Sequence, residues 1–103
     1  MIAKLELELA CNEELAYQMS SLFHGVLMEL LPEEYADELH YSKLHPYTQH
    51  LECRGKTWYW IITALNKQAV DIILKNALWN LEKIELKKKQ IVINIIGKQY
   101  IEM

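Results

Sequence analysis

The stretch ELHYSKLHPYTQH, residues 38–50, holds His40, His45 and His50, three of the chain's four histidines, along with Lys43, Tyr41 and Tyr47. Such groups can bind a metal, activate a nucleophile or move protons. Zinc favours tetrahedral N/S ligands held on tight turns or one helix face. The histidines here are spaced by five, which fits neither a helix face nor a strand face, and no CxxC or HxxxH accompanies them. Cys53 lies near His50 but at the end of a predicted strand, without the glycine turn into a helix that would build an oxyanion site. Cys11 sits at a predicted helix start, where a thiolate would be stabilised. Both read as ordinary half-buried cysteines.

Acid–base chemistry without a metal asks for less. Histidine titrates near neutral pH, so a pair can serve as one base and one acid. His24 lies at the edge of an apolar helical stripe, with Ser20 and Met28 one turn away on the same side. His40 falls at the end of a short helix, where the negative end of the dipole favours an imidazolium. If that helix folds back after Pro32, both imidazoles can face one cleft, with Lys43 close behind to meet a phosphate. Taken singly and on spacing alone, each histidine reads as a solvated loop residue.

The elements that must position these groups follow from periodicity. Ala3, Leu5, Leu7 and Leu9 alternate with Lys4, Glu6 and Glu8, the pattern of a strand with one buried face. Asn12 is an N-cap candidate, and Glu13 and Glu14 suit the positive end of a first long helix. Leu15, Met19, Leu22, Phe23, Val26, Leu27 and Leu30 continue it at helical spacing. Pro32 suits the first turn of a second, shorter helix, beside Glu33 and Glu34, ending near Leu39 or His40. A strand is expected from about Tyr47 to Cys53, then a tight turn at Arg54, Gly55 and Lys56, then the β-prone TWYWIITAL. Asn66 can cap another long helix with an apolar stripe of Ala69, Val70, Ile73, Leu74 and Ala77. A short extended piece around Ile84 to Leu86, the basic run Lys87, Lys88 and Lys89, and the strand QIVINII complete the chain.

This β-α-β-β-α-β order predicts an α+β, ferredoxin-like (RRM-like) domain over residues 1–103. Its four-stranded antiparallel sheet would carry two helices on one face, plus a short extra helix after helix 1. With 103 residues and about half of them apolar, one modest core is the limit. The formal charge, 11 − 14 = −3, is unpromising for a nucleic-acid binder unless charge is segregated by face. Two cysteines are few for a small secreted domain, no signal core opens the chain, and no apolar run is long enough to span a bilayer. A cytoplasmic, membrane-free setting is the expectation.

The stretch SSLFHGVLMELLPEEYADELHYSKLHPYTQHLE resembles the N-terminal part of the CRISPR-associated endoribonucleases that cut precursor CRISPR RNA at its repeats, the Cas6-type enzymes of the RAMP superfamily. The matching features are His24 and Gly25 in an "LxHGxLxxLL" helix, Leu39 and His40 on a second short element, Lys43, and Pro46–Tyr47–Thr48 opening strand 2. The hairpin, the aromatic strand 3 and a second helix leading into a basic turn and a final strand also fit. The resemblance covers essentially the whole chain.

It implies a reaction with no metal and no cofactor. The 2′-hydroxyl attacks the adjacent phosphate in line and leaves a 2′,3′-cyclic phosphate and a 5′-hydroxyl. By position, His40 matches the family's catalytic histidine. His24 matches a helix 1 position that is tyrosine or histidine in relatives, and Lys43 approximates the charge-stabilising lysine. Tyr41, Tyr47 and His45 are supporting candidates. The implied partners are CRISPR repeat RNA, a second ferredoxin-like domain, and a homodimer or crRNA effector complex. Two features depart from the family. His50 stands where relatives often have a small polar residue. The family also normally has a second domain with a Gly-rich loop, whereas this chain has only Gly25, Gly55 and Gly97. The expectation is the N-terminal half of a two-domain enzyme, inactive in isolation if the missing half holds the RNA.

Weaker signals concern RNA contact. Lys87, Lys88 and Lys89, with Arg54 and Lys56, are candidate phosphate contacts, though a charged turn is more often simply solvated. Either Trp58 and Trp60 or Tyr59 and Ile61 must face the core. Tryptophans on the open face would mark an interface with another domain or a second copy. The alternative function is a non-catalytic ferredoxin-like module that binds RNA or protein. A small metal- or ligand-binding dimer is a more distant third.

Overall fold

The computed structural model describes residues 1–42 and 45–103. Strand β1, Ala3–Ala10, is followed by an irregular segment, a short 3-10 turn at Tyr17–Met19 and helix α1, Ser20–Leu30. Helix α2 spans Glu33–Tyr41. Strands β2, Tyr47–Arg54, and β3, Thr57–Ala64, form a hairpin. Helix α3 is α-helical over Lys67–Ala69 and π-helical over Val70–Ala77. Strands β4, Lys83–Leu86, and β5, Ile91–Glu102, end the chain.

The sheet is antiparallel, with strand order β2-β3-β1-β5-β4. It therefore has five strands where the sequence pattern predicts four. The extended KIEL piece pairs with the last strand through Ile84 opposite Ile93 and Leu86 opposite Ile91. The physical reason is burial: Ile84 and Leu86 alternate with Lys83 and Glu85, and pairing on the edge sinks both apolar side chains into the core. Without β4, the order β2-β3-β1-β5 is the one a split β-α-β unit requires.

Leu5 and Leu7 of β1, Trp60 and Ile62 of β3, Phe23 and Leu27 of α1, and Val70, Ile73 and Leu74 of α3 are fully buried between sheet and helices. The tryptophans thus face the helices. Trp60 packs edge-on against Phe23 with ring centroids 5.3 Å apart, and half-buried Trp58 packs against Tyr17 at 4.9 Å. Tyr59 and Ile61 take the helix-free face.

Helix 1 starts later than Asn12. Ala16 is extended, and α-helical structure begins at Ser20. Leu15 and Met19 are still buried, Leu15 ahead of any helix and Met19 in the 3-10 turn. Asn66 does cap helix α3, its side chain accepting from the Ala69 N–H at 2.8 Å. Gly55, with φ 65°, supplies the positive φ of the β2–β3 turn. No helix among the described residues is long and apolar enough to cross a membrane.

Candidate active site

Two side-chain contacts clamp α1 along the edge strand β2, and a third ties Gln49 to β3. Gln49 Nε2 donates to the Ser20 carbonyl at 3.2 Å, and Gln49 Oε1 accepts from Trp60 Nε1 at 2.9 Å. The Leu51 N–H donates to Ser20 Oγ at 3.4 Å, which satisfies an edge-strand donor. One helical turn on from Ser20 is His24, and one further turn brings Met28. The clamp sets both beside Tyr47 at the start of β2.

Pro32 opens α2 with an extended backbone, so the short helix turns back and its last turn delivers His40. The result is a cleft of about 510 Å³ lined by His24, Met28, His40, His45, Tyr47 and Gln49, among others. No carboxylate lines it among the described residues.

The best-defined contact in the cleft is His24 Nε2 to Tyr47 Oη, 2.6 Å apart. The two rings lie nearly parallel, 10° between planes and 5.9 Å between centroids. The Tyr47 hydroxyl also donates toward Met28 Sδ at 3.7 Å. Burial of Tyr47 raises its phenol above the ordinary value of 10.0, so the hydroxyl stays protonated at neutral pH. With its one hydrogen directed at Met28 Sδ it accepts from a His24 Nε2–H; turned toward the ring instead, it donates to a bare Nε2. In either case it orients the ring.

The candidates from sequence divide as follows. His24, His40, His45 and Tyr47 share the cleft. Tyr41 is 83 % exposed and packs edge-on to His40 with centroids 5.2 Å apart, outside the cleft lining. Lys43 lies outside the described residues. His50 alternates with Tyr47, Gln49 and Leu51 along β2 and is exposed on the helix-free face. Lys87, Lys88 and Lys89 are exposed in the β4–β5 turn, on the other side of α1 from the histidines. Lys56 is exposed in the β2–β3 turn. Arg54 is already engaged: it makes a bidentate contact to Glu6 at 2.9 and 3.0 Å, also donates to Glu52, and stacks over Tyr59 at 4.6 Å.

Gln49 is not conspicuous in the sequence, although its phase along β2, in step with Tyr47 and Leu51, puts it on the helix side. Among the described residues no group of three or more His, Cys, Asp or Glu side chains converges as a metal-binding set.

No family model matches the sequence, and no curated protein matches it. A solved structure described as a "Cas6 (TTHB231) product complex" does match the fold, with a TM-score of 0.75 and 19 % sequence identity. The match covers 95 % of this chain and 40 % of that one. Over nearly its whole length, then, the chain has the fold found in a Cas6 structure.

Proposed function

We propose that this chain is a ferredoxin-like domain, elaborated by the edge strand β4, of a Cas6-type endoribonuclease that cleaves precursor CRISPR RNA within its repeats. The observation that carries this reading is the cleft on a Cas6-like fold that gathers His24 and His40 from two different helices. Neither half suffices alone, since a fold hosts many functions and two histidines in a cleft suit many reactions.

In the proposed reaction one imidazole takes the proton of the 2′-hydroxyl. The 2′-oxygen attacks the adjacent phosphorus, and the bond to the 5′-oxygen breaks. The second imidazole gives that oxygen a proton. The products are a 2′,3′-cyclic phosphate and a 5′-hydroxyl, with no water consumed and no cofactor required. Lys43 is proposed to steady the charge on the phosphorane. Tyr47 acts through His24 as a positioning residue. His45 is proposed as a supporting contact at the cleft mouth.

The chain spans 40 % of the length of the Cas6 chain it matches. That ratio supports the further proposal that a second ferredoxin-like domain completes the RNA-binding surface. Repeat RNA is the proposed partner, and a cytoplasmic setting follows from it.

The test uses the protein at its native length with repeat RNA. Cleavage is expected in EDTA, with loss in His40→Ala and on RNA carrying a 2′-deoxy sugar at the scissile nucleotide. EDTA-sensitive cleavage, or full activity in His40→Ala, would sink the acid–base roles of the two histidines. One observation favours the non-catalytic alternative: His24 Nε2 is held by Tyr47 rather than free in the cleft. A binding module would keep its RNA affinity when His24 and His40 are both changed, and would yield no product.

A further inference from the structure

Gly25 is the middle residue of α1, next to His24, and it is exposed. A glycine inside a helix destabilises it relative to alanine, so its presence asks for a reason. The usual reasons fail here. Its φ is not positive, and a Cβ built on it meets nothing within 4 Å among the described residues. Nothing described in the chain needs the space.

What the position does have is a hollow on each side. The histidine cleft begins at His24. Gly25 itself lines a second hollow of about 390 Å³, shared with Glu29, Glu85, Lys87 and Lys88. Lys87 and Lys88, with Lys89, form an exposed basic turn. Glu85 has a cation of its own, Lys83 at 3.6 Å. Glu29 lines the same hollow and repels a phosphate, so a strand entering it would be drawn to Lys87 and Lys88. At Gly25 the helix is lowest between the two hollows, because no side chain stands there.

The geometry points to Gly25 as the saddle over which the ribose–phosphate strand of the substrate RNA crosses α1, running between the Lys87–Lys88 turn and the His24–His40 cleft. This rests on the endoribonuclease reading. It adds a direction for the strand and a binding site for it outside the cleft.

The experiment compares wild type, Gly25→Ala and the double variant Lys87→Ala/Lys88→Ala in the native-length protein on repeat RNA. Thermal midpoint, RNA affinity across a salt series and cleavage rate are read for each. Gly25→Ala should raise the thermal midpoint by about 2–4 °C, the usual shift for a gain of about 1 kcal/mol in a two-domain protein of the proposed length. Its cleavage should nevertheless fall on the order of tenfold to a hundredfold, as when a reacting group is displaced by about 1 Å. The double lysine variant should flatten the slope of log affinity against log salt by about 1.4, at roughly 0.7 per phosphate of a single strand.

Wild-type affinity and cleavage in Gly25→Ala overturns the saddle and leaves the endoribonuclease reading intact. So does a Gly25→Ala variant that loses only a co-purifying protein, which would make the position a protein contact. A lowered thermal midpoint in Gly25→Ala traces any loss to folding and overturns the saddle too. A wild-type protein that neither binds nor cleaves repeat RNA removes both proposals together.

Discussion

Tyr47 shows how one side chain can set the chemistry of another. It is buried at the head of β2, and its hydroxyl lies 2.6 Å from His24 Nε2. The phenol is neutral near pH 7, and burial reinforces this, so it holds the imidazole in place without adding a charge beside it. Tyr47→Phe keeps the ring and removes the hydrogen bond, at a stability cost of about 1 kcal/mol. Under the endoribonuclease reading the larger effect is on turnover. We expect kcat to fall with KM nearly unchanged and one limb of the pH–rate profile to move, since His24 loses its orienting partner. An unaltered pH–rate profile would mean that Tyr47 only fills space. Both members of the pair are visible in the sequence as residue types in a suggestive region. Their contact is not, because 23 residues separate them in the chain.

Among the helices and strands, the signals that hold are those acting within a few residues. Asn66 is readable as a cap, and its side chain accepts the Ala69 N–H. Asn66→Ala should cost about 1 kcal/mol. A urea titration should show a lower midpoint with an unchanged slope; a changed slope would mean that helix α3 no longer unfolds with the rest. Asn12 carries the same kind of signal and is not a cap. The segment after it bends and stays non-helical through Ala16 while Leu15 still reaches the core. Capping preference is worth about 1 kcal/mol, which tertiary burial of one leucine can outweigh. The KIEL piece is equally ambiguous. Four residues carry too little local preference to choose between a linker and a strand, and only pairing with β5 decides it.

Across the molecule as a whole, the helix-free face of the sheet is tied together by charge. Glu6, on the central strand β1, is only 6 % exposed, an expensive place for a carboxylate. Arg54, from the far end of β2, reaches across β3 to hold it with two hydrogen bonds, and Lys4 lies 3.3 Å away. The Arg54 hydrogen bonds lower the Glu6 carboxyl below its ordinary 4.5, outweighing the opposite pull of desolvation. A carboxyl lowered in the folded state contributes stability that is complete above its unfolded value. That stability is lost as pH falls through the lowered one. Acid unfolding should therefore steepen below about pH 4.5 in the wild type, and the step should shrink in Glu6→Gln. Identical acid-unfolding curves for the two proteins would show that the network adds nothing to stability. With its donors spent on Glu6 and Glu52, Arg54 is also a poor phosphate contact, despite its basic character in the sequence.

Residue type and spacing alone set the order of the helices and of the four longer strands, the cap at Asn66, the glycine of the β2–β3 turn, and the presence of His24 and His40 on two helices joined at Pro32. Each depends on interactions within one or two turns of chain, where local pattern acts directly. Folding in three dimensions added the fifth strand, the burial of the tryptophan face, the exclusion of His50 from the cleft, and the pairings of Tyr47 with His24 and Arg54 with Glu6. These choices depend on which residues meet across 23 or 48 positions. There the free energy of burial and charge pairing is set by spatial proximity, which local pattern does not encode.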